Sequence, residues 1–178
     1  MNQLHLILGP MFSGKTTYLL HELTMLSDIG MKCLYINHSL DNRENKDVST
    51  HKTSKTNKLN IDTIRADKLI NVDVSSYNVI GIDEGQFFSD IHTVKSWIKG
   101  RIIYISSLDG DYLREPFMNV LSLIPECDTV IKLNAYCHSC LRQGKYTKSA
   151  FSKRLIDSNE RIVIGGKDKY ISVCRECL

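Results

Sequence analysis

No apolar run in this 178-residue chain approaches the roughly 20 residues that a membrane-crossing helix needs. The first residues, Met1-Asn2-Gln3-Leu4-His5, contain no basic stretch and no small-residue cleavage site, so a secretory signal is not expected. Internal repeats and low-complexity tracts are absent as well. Net charge is small too: the value is +3, too small for a surface built to coat nucleic acid, though compatible with a binder of small phosphorylated ligands. A soluble, intracellular protein without membrane attachment is expected. In a reducing compartment its six cysteines are not expected to form disulfides. Hydrophobic residues make up 42% of the chain, enough for a packed core. The length fits one domain, or one domain with a small appendage.

Apolar periodicity divides the chain into elements. Residues 4–8 form a short apolar run that stops at Gly9, as a buried strand does. Leu19, Leu20, Leu23, Leu26 and Ile29 recur at helical spacing, and Gly30 is placed to end that helix. Residues 32–36 read as a second strand, 79–82 as a third, 102–106 as a fourth and 129–133 as a fifth. Residues 87–99 read as a helix, 118–124 as a shorter one, and Trp97 falls at a core position. Residues 37–60 are polar and aperiodic, which predicts a long mobile loop of the kind that is often functional. In that loop Lys52, Lys55 and Lys58 read as solvated. Strands alternating with helices predict an α/β fold with a mainly parallel sheet covered on both faces. After about residue 134, cysteine pairs, glycines and basic residues replace the alternation. The expected division is therefore 1–134 and 135–178.

Gly9, Pro10, Met11, Phe12, Ser13, Gly14, Lys15 and Thr16 match G-x-x-x-x-G-K-[ST] in full, between a predicted strand and a predicted helix. Glycine lets the backbone wrap so that N–H groups meet phosphate oxygens, and the helix that follows adds its positive N-terminal end. Lys15 is the point charge for the β and γ phosphates, and the Thr16 hydroxyl is a magnesium ligand. A nucleoside triphosphate site is expected here.

Two further constellations carry chemistry. Asp83 and Glu84 end the third apolar strand, as Walker-B carboxylates do beside a phosphate loop. Asp83 is expected to hold Mg²⁺, and Glu84, next in sequence and pointing to the other side, to act as general base. The pair alone does not distinguish water from a hydroxyl as nucleophile, and motor-type ATPases also use Asp-Glu here. Cys137 and Cys140, then Cys174 and Cys177, form two C-x-x-C pairs separated by residues 141–173. Four thiolates saturate a tetrahedral zinc ion, so the expected site is structural; paired spacing argues against a redox C-x-x-C. Cys33 and Cys127 stand apart and read as core. The excursion 141–173, too poor in apolar residues for its own core, reads as a flap clamped by the metal. Asp41 and Arg43 begin the polar loop and, on sequence alone, are equally a solvated cluster.

These residues together resemble the type II thymidine kinases, the group of cellular cytosolic and poxvirus enzymes. The resemblance rests on residues 9–16, on Gly-Ile-Asp-Glu-Gly-Gln-Phe-Phe (81–88), and on Leu-Asp-Gly (108–110) with Pro116 and Phe117. It continues through Ser-Lys-Arg-Leu (152–155), Ile-Gly-Gly (164–166), Lys169-Tyr170 and the last cysteine pair, nearly end to end. With no tail after Cys177 beyond one residue, the chain looks like a compact viral form, acting in the host cytoplasm if viral.

The resemblance implies a P-loop (RecA-like) sheet with a small C-terminal zinc-binding lasso domain. It implies ATP with Mg²⁺ and thymidine as substrates, structural Zn²⁺, a homotetramer or homodimer, and inhibition by thymidine triphosphate. Glu84 matches the base that takes the 5′-hydroxyl proton. Asp83 and Thr16 match magnesium-associated residues, and Asp41, Arg43 and Gln86 belong to the nucleotide side. Met11, Leu108, Tyr112, Phe117 and Ser152 match the nucleoside pocket. Arg161, Ile162, Val163, Ile164, Gly165 and Tyr170 match the lasso loop that reads the base. Glu44, Tyr112 and Asp111 depart from the commoner Tyr, Phe and Thr, and about five residues near 143–148 appear inserted. The rival readings are a zinc-ribbon P-loop ATPase acting on nucleic acid and a non-enzymatic nucleotide sensor.

Overall fold

The computed structural model describes residues 1–41, 61–158 and 160–178. Most of the predicted long loop, with Arg43, Lys52, Lys55 and Lys58, lies outside them.

Six strands form one sheet: β1 (Gln3–Leu8), β2 (Cys33–His38), β3 (Ile61–Ala66), β4 (Val79–Ile82), β5 (Ile102–Ser107) and β6 (Thr129–Lys132). Their order is β3-β2-β4-β5-β1-β6, and every pairing is parallel. The central strands are continuous apolar runs because both faces are covered. On one face Leu4, Leu6, Ile80, Ile82, Ile103 and Ile105 pack with Phe88, Ile91, Trp97, Val120 and Leu123. On the other, Ile7, Tyr35, Val79 and Ile102 pack with Leu19 and Leu23 of the long helix α1 (Lys15–Asp28).

The end of α1 follows from its sequence. Gly30 sits at φ 90°, and the N–H groups of Gly30 and Met31 donate back to the carbonyls of Ser27 and Leu26 at 2.9 and 3.1 Å. That reciprocal pair satisfies the last carbonyls, and only glycine adopts its geometry without strain. Gly81 in β4 has a different role. A Cβ there would lie 2.6 Å from Leu23 Cδ1, so its absence lets α1 sit close against the sheet. Gly81→Ala is expected to lower unfolding free energy by about 1–3 kcal/mol through overpacking. Denaturant titration measures this directly.

One expectation is corrected, and two features lie beyond the sequence reading. Residues 87–99 are not one helix. They comprise two 3₁₀ turns, Gly85–Phe87 and Ile91–Thr93, and the short α2 (Val94–Trp97). Phe88 is extended, and the Asp90 carboxylate that follows accepts the Ile70 N–H at 3.0 Å. The side chain thus ties this segment to a neighbouring loop at the point where the helical period breaks. The acidic strand is not directly beside the phosphate-loop strand, because β5 lies between β1 and β4. All strands run the same way, so the two loops still meet at the carboxyl end of the sheet, where open α/β sheets bind ligands. In addition, β3 forms an edge strand that the apolar pattern did not reveal. The shorter predicted helix is α3 (Met118–Leu121) followed by a 3₁₀ turn.

Beyond residue 134 the chain builds two small antiparallel ribbons. β7 (Ala135–Tyr136) leads into α4 (His138–Leu141) and pairs with β8 (Lys148–Ser149). β9 (Phe151–Arg154) pairs with β10 (Tyr170–Val173). The excursion 141–173 is therefore structured at its base. Its small core is the cysteine tetrad with Val173, Phe151 and Ile171. No helix among the described residues is long and apolar enough to cross a membrane.

Candidate active site

Residues 9–16 form the connection from β1 to α1. Gly9 has φ 148°, and a Cβ there would collide with the Leu133 carbonyl oxygen at 2.5 Å. Gly14, at φ 84°, immediately precedes the helix. The Ser13 hydroxyl and the buried Lys15 ammonium both donate to the Pro10 carbonyl, at 2.8 and 2.9 Å. The loop therefore closes on itself around one carbonyl, with its backbone wrapped before the first helical turn.

The end of β4 separates two carboxylates. Asp83 is buried and accepts hydrogen bonds from the Tyr35 hydroxyl at 2.9 Å and the Glu84 N–H at 3.0 Å. Burial, and then the Asp83 charge, push the Tyr35 hydroxyl well above the ordinary tyrosine range, so it remains a donor. Tyr35 packs against α1, which places Asp83 on the phosphate-loop side of the sheet. Asn37 and Ser106 follow Tyr35 and Tyr104 at two-residue intervals and share that face. Asn37 Oδ1 and Ser106 Oγ are buried and have no hydrogen-bond partner among the described residues. Asp41, also buried, accepts from Asn37 Nδ2 at 3.4 Å. Buried carboxylates and orphaned oxygens beside a phosphate loop suit a hydrated, oxygen-loving cation such as Mg²⁺.

Glu84 goes the other way. Its backbone is left-handed, φ 52° and ψ 44°, a costly conformation for a non-glycine residue and one that clusters at functional sites. That turn sends its carboxylate into a cavity on the opposite side, where Gln86 Nε2 donates to Glu84 Oε2. Gln86 is held in turn by Ser107 Oγ at 2.9 Å and the Leu108 N–H at 3.1 Å, both on Oε1. Because the Leu108 N–H can only donate, the amide orientation is fixed and Nε2 must face Glu84. Gln86, expected on the nucleotide side, thus lies beside Glu84 in the cavity.

The cavity is lined by Met11, Glu84, Leu108, Tyr112, Phe117, Ser152, Arg161, Ile162, Val163, Ile164, Gly165 and Tyr170, with Gln86, Phe87, Gly110 and Asp111. Residues far apart in sequence, assigned to one pocket by resemblance, are brought together. Residues 143–148 are not among the lining residues; they follow α4 through a turn closed on the Cys140 and Leu141 carbonyls and lead into β8. Met11 N–H donates to Ser152 Oγ at 2.9 Å, which joins the phosphate loop to β9.

Arg154, noted in the sequence only as part of the 152–155 motif and given no role there, organises the segment that leads to Tyr170. Its guanidinium lies 3.7 Å from the Tyr112 ring centroid and donates to the carbonyls of Ser158, Glu160 and Arg161. It also donates to Tyr170 Oη, which itself donates to the Val163 carbonyl at 2.8 Å. Lys169 Nζ takes the Ile164 carbonyl at 2.8 Å. A trans peptide points its C=O and the next N–H in opposite directions. Anchoring the carbonyls of 161, 163 and 164 therefore turns the N–H groups of Ile162, Ile164 and Gly165 away from the anchoring side chains.

The four sulfurs of Cys137, Cys140, Cys174 and Cys177 lie within 4.8 Å of one another. Cys140 Sγ is 3.8 Å from both Cys174 Sγ and Cys177 Sγ. A tetrahedron with metal–sulfur bonds of about 2.3 Å has edges of about 3.8 Å. The tetrad can hold a metal ion and is compatible with zinc. The four thiols compete for negative charge: burial raises the Cys137 thiol but hydrogen bonds from Cys140 and Cys174 outweigh it and lower it, while the neighbouring sulfurs push Cys177 up.

A family model described as thymidine kinase matches residues 2–178. The chain belongs to the thymidine kinase family. It is 41% identical over 176 residues to the thymidine kinase of Yaba monkey tumor virus, covering 98% of this chain and 93% of that one. Identity to the vaccinia virus (strain Western Reserve) thymidine kinase is 41% over 178 residues, covering 98% and 95%. Thymidine kinase 1 of Dictyostelium discoideum is 38% identical over 179 residues, covering 98% of this chain and 77% of that protein. As a member of the thymidine kinase family, the chain is a kinase. Sequence reasoning gave no role to Arg154, Phe87 or Gly110, although each lies in a quoted motif, and missed Ser107 and the Tyr35 support of Asp83. Only the charge of Arg154 beside the flap offered a signal.

Proposed function

We propose that the chain transfers the γ-phosphoryl group of magnesium-bound ATP to the 5′-hydroxyl of thymidine, releasing ADP and thymidine 5′-monophosphate. The observation that carries this reading is the divergence at the end of β4: Asp83 faces the phosphate-loop side, and Glu84 faces a partly enclosed cavity.

Residues 9–16 hold the triphosphate, and Lys15 moves from the Pro10 carbonyl to phosphate oxygens. Thr16 and Asp83 would hold Mg²⁺, with the buried Asp41 on the same side. When bound, the ion neutralises charge on the β and γ phosphates. Glu84 accepts the 5′-hydroxyl proton as that oxygen attacks the γ-phosphorus and the bond to the β-bridging oxygen breaks. Gln86 fixes the carboxylate for that transfer. Tyr112 and Phe117 enclose the base, and Ser152, whose oxygen accepts from Met11, keeps its own proton for the ligand.

The N–H groups of 162, 164 and 165 supply donors for thymine carbonyl oxygens. Cytosine presents an amino group in place of one carbonyl, leaving buried donors unpaired. Residues 135–178 act as the lid-bearing unit, which excludes the water that would otherwise accept the phosphoryl group. The same reading includes a homotetramer or homodimer, inhibition by thymidine triphosphate, and action in the cytoplasm. A nucleic-acid-driven ATPase is disfavoured because its water nucleophile needs no enclosed pocket beside Glu84.

A nucleoside panel with Mg·ATP tests the choice of acceptor. Thymidine is expected to exceed deoxycytidine in kcat/KM by about 10²-fold or more. Equal values for the two would overturn the base-recognition scheme.

A further inference from the structure

Two segments meet over the cavity: the turn after β5, residues 108–117, and residues 160–165. Asp111 joins them. Its side chain is 3% exposed, and Oδ1 accepts the N–H groups of Leu113 and Glu115, both at 2.9 Å. Those two bonds fold the turn that carries Tyr112. Oδ2 receives Arg161 Nε at 2.9 Å. The same guanidinium donates through Nη2 to the Pro116 carbonyl at 2.8 Å and lies 5.1 Å from the Phe117 ring centroid. From the opposite side, Arg154 Nη2 holds the Arg161 carbonyl at 2.9 Å. Residue 161 is thus pinned at both its side chain and its backbone, by protein groups alone.

We propose that the Asp111–Arg161 pair is a latch that holds residues 160–165 closed over the cavity ahead of ligand binding, so that Asp111 and Arg161 are positioning residues for nucleoside affinity. This rests on the reading of the cavity as the nucleoside site. The physical reason is an asymmetry of burial. Asp111 is enclosed while the Arg161 side chain is 53% exposed, so losing the arginine leaves a buried carboxylate without its counter-charge. A latch made before binding also spares the nucleoside the ordering cost of the segment, which improves affinity without altering the reacting atoms. The bidentate reach to Asp111 and Pro116 needs a guanidinium; lysine can satisfy only the first.

Hydrogen exchange on the ligand-free chain reads the latch apart from catalysis. In Asp111→Asn and Arg161→Gln, the hydrogen-bonded amides of Gly166, Lys169 and Tyr170, at the far end of the same segment, are expected to exchange about tenfold faster than in the wild type, and the double variant no faster than either single one. Arg161→Lys is expected to recover part of the protection. In kinetics the same variants raise KM for thymidine by about tenfold, while KM for ATP stays within about twofold. Should Asp111→Asn lower overall stability by disturbing its turn, Arg161→Gln still reads the latch, because its side chain lies at the surface. Unchanged exchange at Gly166, Lys169 and Tyr170 in both single variants, or additive effects in the double variant, overturns the latch. Slow exchange lost on mutation, in a wild-type chain that does not phosphorylate thymidine, would uphold the latch and overturn the substrate instead.

Discussion

Replacing Glu84 with Gln lowers kcat for thymidine phosphorylation by about 10²–10⁴-fold, the usual contribution of a positioned general base. The change is nearly isosteric. A glutamine oxygen still accepts from Gln86 Nε2, so the strained turn at φ 52° and the cavity wall are retained. KM for thymidine and for ATP should therefore move little, and the loss should appear in kcat and kcat/KM alike, the signature of an interaction made in the transition state. Asp83→Asn gives a different pattern. It lies on the other side of the strand end, held by Tyr35, and should raise the Mg²⁺ concentration needed for half-maximal rate. A Glu84→Gln enzyme within about threefold of wild type would mean that the 5′-hydroxyl loses its proton elsewhere.

Loss of the tetrad's metal has the second-largest expected effect. The apolar support at that end of the molecule is slight: Val173 is buried, and Phe151 and Ile171 are only partly so. Such a core does not order about 40 residues against their conformational entropy. Structural zinc supplies about 10–16 kcal/mol in zinc-finger peptides, so metal here is expected to be folding energy for the ribbons. The consequence reaches the cavity through β10. Tyr170 begins that strand, Cys174 follows its end, and Tyr170 and Arg154 together hold the carbonyls of 161 and 163. Chelation, or Cys174→Ser, should abolish thymidine phosphorylation by more than about 10²-fold, while the six-stranded sheet stays folded. Metal analysis by mass spectrometry and far-UV circular dichroism on the same sample check both halves. Full activity with less than about 0.1 zinc per chain would refute the structural role.

How much was legible in the sequence differed from element to element. The β1–loop–α1 unit was readable because strand, glycines, lysine and helix are contiguous, and each imposes a local pattern. The four cysteines were readable because two close pairs suffice to define one tetrahedron. The stretch 87–99 was misread for a physical reason: Phe87, Phe88, Ile91, Val94, Trp97 and Ile98 satisfy a helical period that a broken 3₁₀ path satisfies equally well. What separates the two is a long-range bond, Asp90 to the Ile70 N–H. β3 was hidden because its side chains are only partly buried, so Ile61 and Ile64 stand among exposed polar residues.

The insertion of β5 between β1 and β4 is a property of topology that no local window contains. The cavity lining came from family resemblance, not from periodicity, and residues 84, 117, 152 and 165 do meet there. Arg154 and Arg161 stood in matched motifs, but the partners through which they hold the lid were not legible. Arg161 and Asp111 are 50 positions apart, and nothing in either neighbourhood marks the other.

The transfer itself is tested most directly with ATP labelled in its γ-phosphoryl group, incubated with the purified chain, Mg²⁺ and thymidine. One label per ADP formed should be recovered as thymidine 5′-monophosphate, with little inorganic phosphate in the absence of nucleoside. Label released mainly as inorganic phosphate, at a rate unaffected by thymidine and raised by nucleic acid, would contradict the account and identify water as the acceptor.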